Sequence, residues 1–252
     1  MSSARSEPYD AALFEALAAV ESVSFWFRAR NRLIVSTLRR RFPDAQSLLE
    51  LGCGTGFVLE ALRSAFPGWR LVGSELYEEG LAVARSRLRD VELVQADARA
   101  LPFRDEFDVV GAFDVLEHVT EDEAVLGEMH AAVRPGGGIV VLVPQHPRLW
   151  SAMDDVAHHV RRYRRRDLVA KVRAAGFRVE QASSFVSTLL PAMVVSRAAR
   201  RLSPRPYDPV AELRPGALNA LFERVLDGER RLIERGVSLP VGGSLLVVGR
   251  KL

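Results

Sequence analysis

An α/β fold built around a parallel sheet is what this sequence predicts, and three observations carry the prediction. Short apolar runs alternate with helical patterns of about ten residues, which is the rhythm of βαβ units. The runs are apolar throughout rather than at every second position, as strands covered on both faces must be. The 252 residues, 48% of them hydrophobic, suffice to enclose one core with an elaboration but are short for two full domains.

Residues 10–42 read as helical: Leu13, Leu17 and Val20 stand at helical spacing, and FWFRARNRLIVSTLRRRF follows as a second, arginine-decorated helix that Pro43 ends. The strands are SLLEL (47–51), RLVGS (70–74), VELVQ (91–95), FDVVGAF (107–113) and GIVVLV (138–143). Between them lie the helical patterns FVLEALRSAF, EEGLAVARSRL and EAVLGEMHAAV, the last stopped by RPGGG at 134–138. A helix over about 165–175 ends at Gly176, and FRVEQASSF (177–185) is a sixth strand. Then the rhythm breaks. Residues 186–240 hold a proline-dotted stretch, SPRPYDP (203–209), and an amphipathic helix with Leu218, Leu221, Phe222, Val225, Leu226, Leu232 and Ile233 on one face. A connection of that length is a cap over a site or a partner surface. GGSLLVVGRK closes the chain as a seventh strand.

Composition narrows the function. The formal charge is only +3, and of 35 basic residues all but Lys171 and Lys251 are arginines spread along the whole chain, which argues against a dedicated polyanion-binding face and makes nucleic acid an unlikely partner. Cys53 is the sole cysteine, so no intrachain disulfide forms, and the opening MSSARSEPYDAALFEAL has no apolar secretory core; a cytoplasmic protein is expected. The apolar stretch FVSTLLPAMVV (185–195) is far short of the roughly 20 residues of a membrane span, and Pro191 interrupts it.

The first strand runs through ELGCGTGF (50–57) straight into a helix. Gly52, Gly54 and Gly56 let the backbone turn tightly and approach a ligand, with the N–H groups of a helix start behind them. Glu75 ends the second strand nineteen residues past Gly56, where a carboxylate can accept ribose hydroxyls, and Asp97 follows the third strand, where one can accept an adenine amine. A dinucleotide fingerprint would need glycine at position 57, which is Phe57.

Taken together, ELGCGTG, Glu75 in VGSELYEEGLAVAR, Asp97 in QADARALPF, and FDVVGAFDVLEHV resemble the motifs of class I S-adenosylmethionine-dependent methyltransferases, over residues 46–184. The resemblance implies a Rossmann-like, doubly wound, seven-stranded, mostly parallel sheet with an antiparallel last strand. It implies S-adenosylmethionine as cofactor and S-adenosylhomocysteine as product. Glu50, Gly52, Cys53, Gly54 and Gly56 would hold the methionine end, Glu75 the ribose, Leu76 the adenine face, and Asp97 with the Ala98 backbone the adenine edge. Phe113 and Asp114 would line the crevice near the sulfonium.

Methyl transfer is an in-line displacement, so the protein must align a nucleophile and exclude water. A hydroxyl nucleophile also profits from a base: His118, with Glu117 beside it, and His159 are the candidates. The stretch PQHPRLWSAMDDVAHHVRRY (144–163) follows the fifth strand and should form a substrate-side wall, with His146, Arg161, Arg162 and Tyr163 as contacts. Arginines at the start of the next helix oppose its dipole; their charge should serve something outside it, which suggests an anionic acceptor. His146, Asp154, His158 and His159 could chelate, but no cysteine and no HExxH supports them, and no metal is expected. FWFRARN, HPRLWSAMDD and LPVGGSLLVVGRK are similar to a bacterial subgroup of small-molecule enzymes. That likeness implies an N-terminal helical lid (1–43) carrying Trp26, Phe27 and Arg28, with Trp26 and Arg28 toward the substrate, an α/β core (44–185), a helical insertion (186–240) and a final core strand (241–252). The expected activity is methylation of an oxygen or nitrogen of a small acceptor. The rivals are an RNA methyltransferase and a non-catalytic module binding a partner, or a second copy in a homodimer, through 186–240.

Overall fold

The seven apolar runs pair into one sheet in a computed structural model of the protein, which describes residues 11–201 and 214–252. The strands are β1 (Ser47–Leu51), β2 (Arg70–Glu75), β3 (Glu92–Gln95), β4 (Phe107–Phe113), β5 (Val133–Pro144), β6 (Phe177–Phe185) and β7 (Ser244–Lys251), in the order β3-β2-β1-β4-β5-β7-β6. Only β7 runs against its neighbours. The helices are α1 (Ala11–Glu21), α2 (Phe25–Arg41), α3 (Phe57–Ala65), α4 (Glu78–Arg87), α5 (Asp122–Ala132), α6 (Ala152–Val156), α7 (Arg165–Ala174), α8 (Leu190–Arg201) and α9 (Asn219–Glu234). The SPRPYDP stretch lies outside the described residues.

Continuous apolar strands feed two cores, because successive side chains point to opposite faces. Leu48, Val109, Val140 and Leu246 face the layer of α2, α3, α4 and α9, meeting Leu33, Leu38, Leu59, Leu62, Leu81 and Leu226. Leu49, Val110, Val141 and Leu245 face α5 and α7, meeting Val125, Leu126, Met129, Leu168 and Val172.

Two elements differ from the sequence reading. RPGGG is not a free turn: β5 already pairs at Val133, opposite Phe107, and resumes at Gly138 after an irregularity. The amphipathic face of α9 is narrower than its pattern: Leu226 and Ile233 are buried, whereas Leu218, Leu221 and Leu232 are 53%, 53% and 42% exposed. What fixes α9 against α2 is partly polar, with Arg28 and Arg32 both reaching Glu223 (3.1 and 2.7 Å), Arg32 reaching Asp227 (2.8 Å), and Phe25 edge-on to Phe222. No helix among the described residues is long and apolar enough to cross a membrane.

β1 and β4 are sequence-distant neighbours from which the strand order runs outward in both directions. The loops leaving their carboxyl ends diverge, and the crevice they leave is where ligands of open α/β sheets bind.

Candidate active site

The loop after β1 takes a left-handed backbone at Gly52, Gly54 and Gly56 (φ 59°, 51° and 76°). At Gly56 a Cβ would also sit 2.8 Å from Leu88 Cδ1 and 3.2 Å from Ala84 Cβ, so glycine lets α4 pack against the loop. At Gly54 the nearest atom is Phe14 Cε1, at 3.8 Å. The loop is open there except for the side chain that α1 lays over it.

Two buried acids flank the loop. Glu50 is 2% exposed and its Oε2 has no hydrogen-bond partner; burial, then the charges of Glu75 and Glu21, push its carboxyl well above the usual range. Glu75 accepts the Gly54 N–H at Oε2 (2.9 Å) and the Leu76 and Tyr77 N–H groups at Oε1 (2.7 and 3.1 Å). Burial raises its pKa against these three donors. The expected ribose acid thus also anchors the glycine loop, and its side chain sets where the loop stands. Leu76 is exposed at the crevice edge and Cys53 is buried, its thiol pushed up by that burial.

Three expected cofactor contacts are placed differently. Asp97 is clasped by Arg99, through 2.7–3.1 Å contacts that hold its carboxyl below the ordinary range, and Arg99 also reaches Glu121 at 3.2 Å. The acid sits at the rim, already paired, with Ala98 half-buried beside it. Phe113 is 7% exposed and belongs to the core toward α2 and α3 rather than to the crevice wall. Asp114 has φ 57°, a conformation non-glycine residues hold only when their surroundings enforce it. What enforces it is a hydrogen bond from its N–H to Leu142 O (2.9 Å) and an ion pair with the buried Arg30, whose guanidinium lies over Trp26 at 5.4 Å. Trp26 thereby props the tip of β4 through Arg30.

Arg28 points away from the crevice, to Glu223 on α9. In its place α1 contributes two residues with no sequence signal. Phe14 overlies Gly54 and Gly80, and Glu21 accepts the Thr55 hydroxyl at 2.7 and 2.8 Å and Arg87 Nη1 at 3.0 Å. Glu21 and Arg87 are 66 positions apart, so no local pattern could have joined them.

On the far side of the crevice, a short 3-10 turn (Leu116–His118) follows β4. His118 and His159 meet edge to face, ring centroids 4.7 Å apart. Burial, then His159, lower the His118 pKa to about 4, so its imidazole is neutral at pH 7. His159 Nδ1 lies 2.9 Å from Asp154 Oδ1. His146, at φ 63° after β5, is half-buried with an unpartnered Nε2 and faces Arg162 and Arg165.

The arginine wall is not a wall of free charge. Arg161 pairs with Asp122 (2.5 Å) and donates to Thr120 O (2.8 Å). Arg162 is buried on Asp154 (2.6 Å) and Gln145 O (3.1 Å). Tyr163 is 3% exposed, its hydroxyl between Leu116 O (3.1 Å) and Asp122 (2.6 Å). Arg165 reaches Ser184, Ser238 and the Leu239 carbonyl, and Arg166 pairs with Asp167. Most of the charge that suggested an anionic acceptor is spent on partners within the protein, those of Arg161 and Arg165 remote in sequence, while Arg166 stays exposed beside its neighbour Asp167.

Comparison with known proteins agrees with this geometry. Residues 49–141 match a family model described as a methyltransferase domain. The chain is 28% identical over 160 residues to a probable S-adenosylmethionine-dependent methyltransferase of Mycolicibacterium smegmatis, covering 62% of this chain and 61% of that one. It is 34% identical over 117 residues to a ubiquinone biosynthesis O-methyltransferase of Thiobacillus denitrificans, covering 42% and 50%. The chain therefore spans about half to three fifths of these relatives' length. A solved S-adenosylmethionine-dependent methyltransferase of Thermotoga maritima superposes with TM-score 0.59 at 18% identity, covering 96% of this chain and 95% of that one. The matched domain begins inside β1, takes in the glycine loop and ends inside β5, so the part of the chain that carries the site is similar to S-adenosylmethionine-dependent methyltransferases.

Proposed function

We propose that the chain transfers a methyl group from S-adenosylmethionine to an oxygen or nitrogen of a small acceptor. The observation that carries this is Glu50: a fully buried carboxyl oxygen with no donor in the protein, beside an open glycine loop, suits the ammonium end of the donor. Glu75 has lone pairs left after its three N–H contacts, enough for ribose hydroxyls. Bound there, S-adenosylmethionine supplies an electrophilic methyl group and leaves as S-adenosylhomocysteine.

The chain's own part is placement. Phe14 and α1 close the loop from water, as a lid would, and the Trp26–Arg30–Asp114 series fixes the tip of β4. In the metal-free protein, the neutral imidazole of His118 can take the proton of an acceptor hydroxyl, with His159, which Asp154 orients, packed edge to face beside it. With Arg161 and Arg162 held by Asp122 and Asp154, the acceptor is a small molecule for which negative charge is not required. A cytoplasmic setting and self-association through the exposed Leu218, Leu221 and Leu232 of α9 complete the proposal.

The test is S-adenosylhomocysteine release by the purified protein against phenols, amines and carboxylic acids in parallel. Turnover with one class that Glu50→Ala abolishes supports the proposal. Tight donor binding with no turnover in any class would make the chain a non-catalytic module.

A further inference from the structure

Glu117 is 0% exposed, and neither of its carboxylate oxygens has a hydrogen-bond partner. Burying such a group without a partner costs several kcal/mol, so the fold should contain something to balance it. Besides Asp114 and the Arg30 guanidinium, two imidazoles face it: one ligand atom from each of Glu117, His118 and His159 lies within 4.8 Å of the other two. We propose that these three residues hold a divalent transition-metal ion of the zinc class.

The groups around them support this more than the trio alone. A metal-binding histidine gives its other ring N–H to a carboxylate or a backbone carbonyl, which fixes the tautomer and leaves a lone pair for the ion. Both histidines have that arrangement. His159 Nδ1 lies on Asp154, a carboxylate with no exposed surface that Ser151 (N–H at 2.8 Å, hydroxyl at 3.0 Å) and Arg162 (2.6 Å) hold in place. His118 is hydrogen-bonded to the backbone of Ala157. The loop carrying His159 is tied to the turn carrying Glu117 by the Val160 N–H to Glu117 O bond of 2.8 Å. Three ligands come from two segments that the backbone already joins. Ligands of one tetrahedral zinc lie roughly 3.4 Å apart for bonds of about 2.1 Å, so side-chain closure of about an ångström completes the set. Two imidazoles and one carboxylate leave a fourth position open, the pattern of catalytic rather than structural sites.

This deepens the proposed function and for its role rests on it: an acceptor hydroxyl at the open position would lose its proton to water, its oxygen would form the bond to methyl, and the sulfur–methyl bond would break. The imidazoles, with their lone pairs on the ion, would then not be bases. Binding of the ion does not depend on that role.

The experiment is titration of chelator-treated, full-length protein with Co²⁺, read by visible absorption, and with Zn²⁺, read by calorimetry, alongside S-adenosylmethionine titration of the same metal-free sample. One equivalent should bind with the absorption of a nitrogen- and oxygen-ligated Co²⁺. Glu117→Gln and His159→Ala should each lower affinity at least a hundredfold, and His130→Gln, remote on α5, should leave it unchanged. Glu117→Gln carries a second readout: the amide keeps the shape of the buried acid but cannot ligate as a carboxylate, so the metal-free Tm should change little while the Zn²⁺-induced increase in Tm disappears. No stoichiometric binding, or binding indifferent to both ligand variants, would overturn the site. Donor binding by the metal-free sample would leave the methyltransferase proposal standing in either case.

Discussion

Arg162 and Asp154 are eight positions apart, and the carboxylate between Arg162, His159 and Ser151 has no exposed surface. A surface reading of HHVRRYRRR assigns these charges to a ligand; enclosure assigns them to the fold. Arg162→Ala should therefore act first on stability, by about 3–5 kcal/mol, because it leaves a buried carboxylate without its main cation. Urea denaturation would show the loss, and an acceptor KM shift without it would return Arg162 to the substrate. The glycines and Glu75 could be read from sequence because their reasons are local: a turn, a strand end, a nineteen-residue spacing. Arg30 and Asp122 could not, since each neutralises or is neutralised by a group whose nearness the fold alone creates, whereas Arg99 stands only two residues from the Asp97 it clasps.

At the scale of elements, a polar knot among the described residues attaches α1 to the glycine loop. Thr55 donates to Glu21 from inside the loop, and Arg87 reaches both from α4. Burial raises the Glu21 carboxyl above its usual range although Thr55 and Arg87 pull it down, so this acid depends on its partners. Thr55→Val should loosen α1: amide exchange over residues 11–21 should quicken while β1 stays protected, and donor affinity should fall by about 1 kcal/mol. Unchanged exchange would mean that Phe14 alone seats the helix. The seven strands were legible, but α6 and α8 were not, the second because Pro191 at its start reads as a break in FVSTLLPAMVV. The inward face of α9 was not, because Leu218, Leu221 and Leu232 have the right period but no described neighbour to cover them.

Across the whole molecule, acid stability depends on buried ion pairs, Asp122 among them. Burial pushes its carboxyl up, but hydrogen bonds from Lys171, Tyr163 and Arg161 outweigh that and hold it below its ordinary 3.8. A depressed carboxyl pKa contributes stability that is present above the unfolded value and is lost as pH falls through the folded one. Asp122→Asn should cost about 2 kcal/mol at pH 7, and the gap to wild type should shrink as pH falls from 3.8 toward 2. Parallel stability curves over that window would show that Asp122 does not titrate as described. The same residue helps join α5, α7 and the segment before α7, so one acid couples the far wall of the crevice to the core.

The most direct test of the account is calorimetric titration of the purified chain with S-adenosylmethionine, S-adenosylhomocysteine and NAD, repeated with Glu75→Ala and Asp97→Ala. The account predicts binding of the first two and none of NAD, a loss of about 1–3 kcal/mol for Glu75→Ala, whose carboxylate is buried and holds the loop, and a smaller loss for Asp97→Ala, whose carboxylate Arg99 already occupies. Binding of NAD instead, or donor affinity untouched by Glu75→Ala, would contradict the placement of the donor in the crevice between β1 and β4.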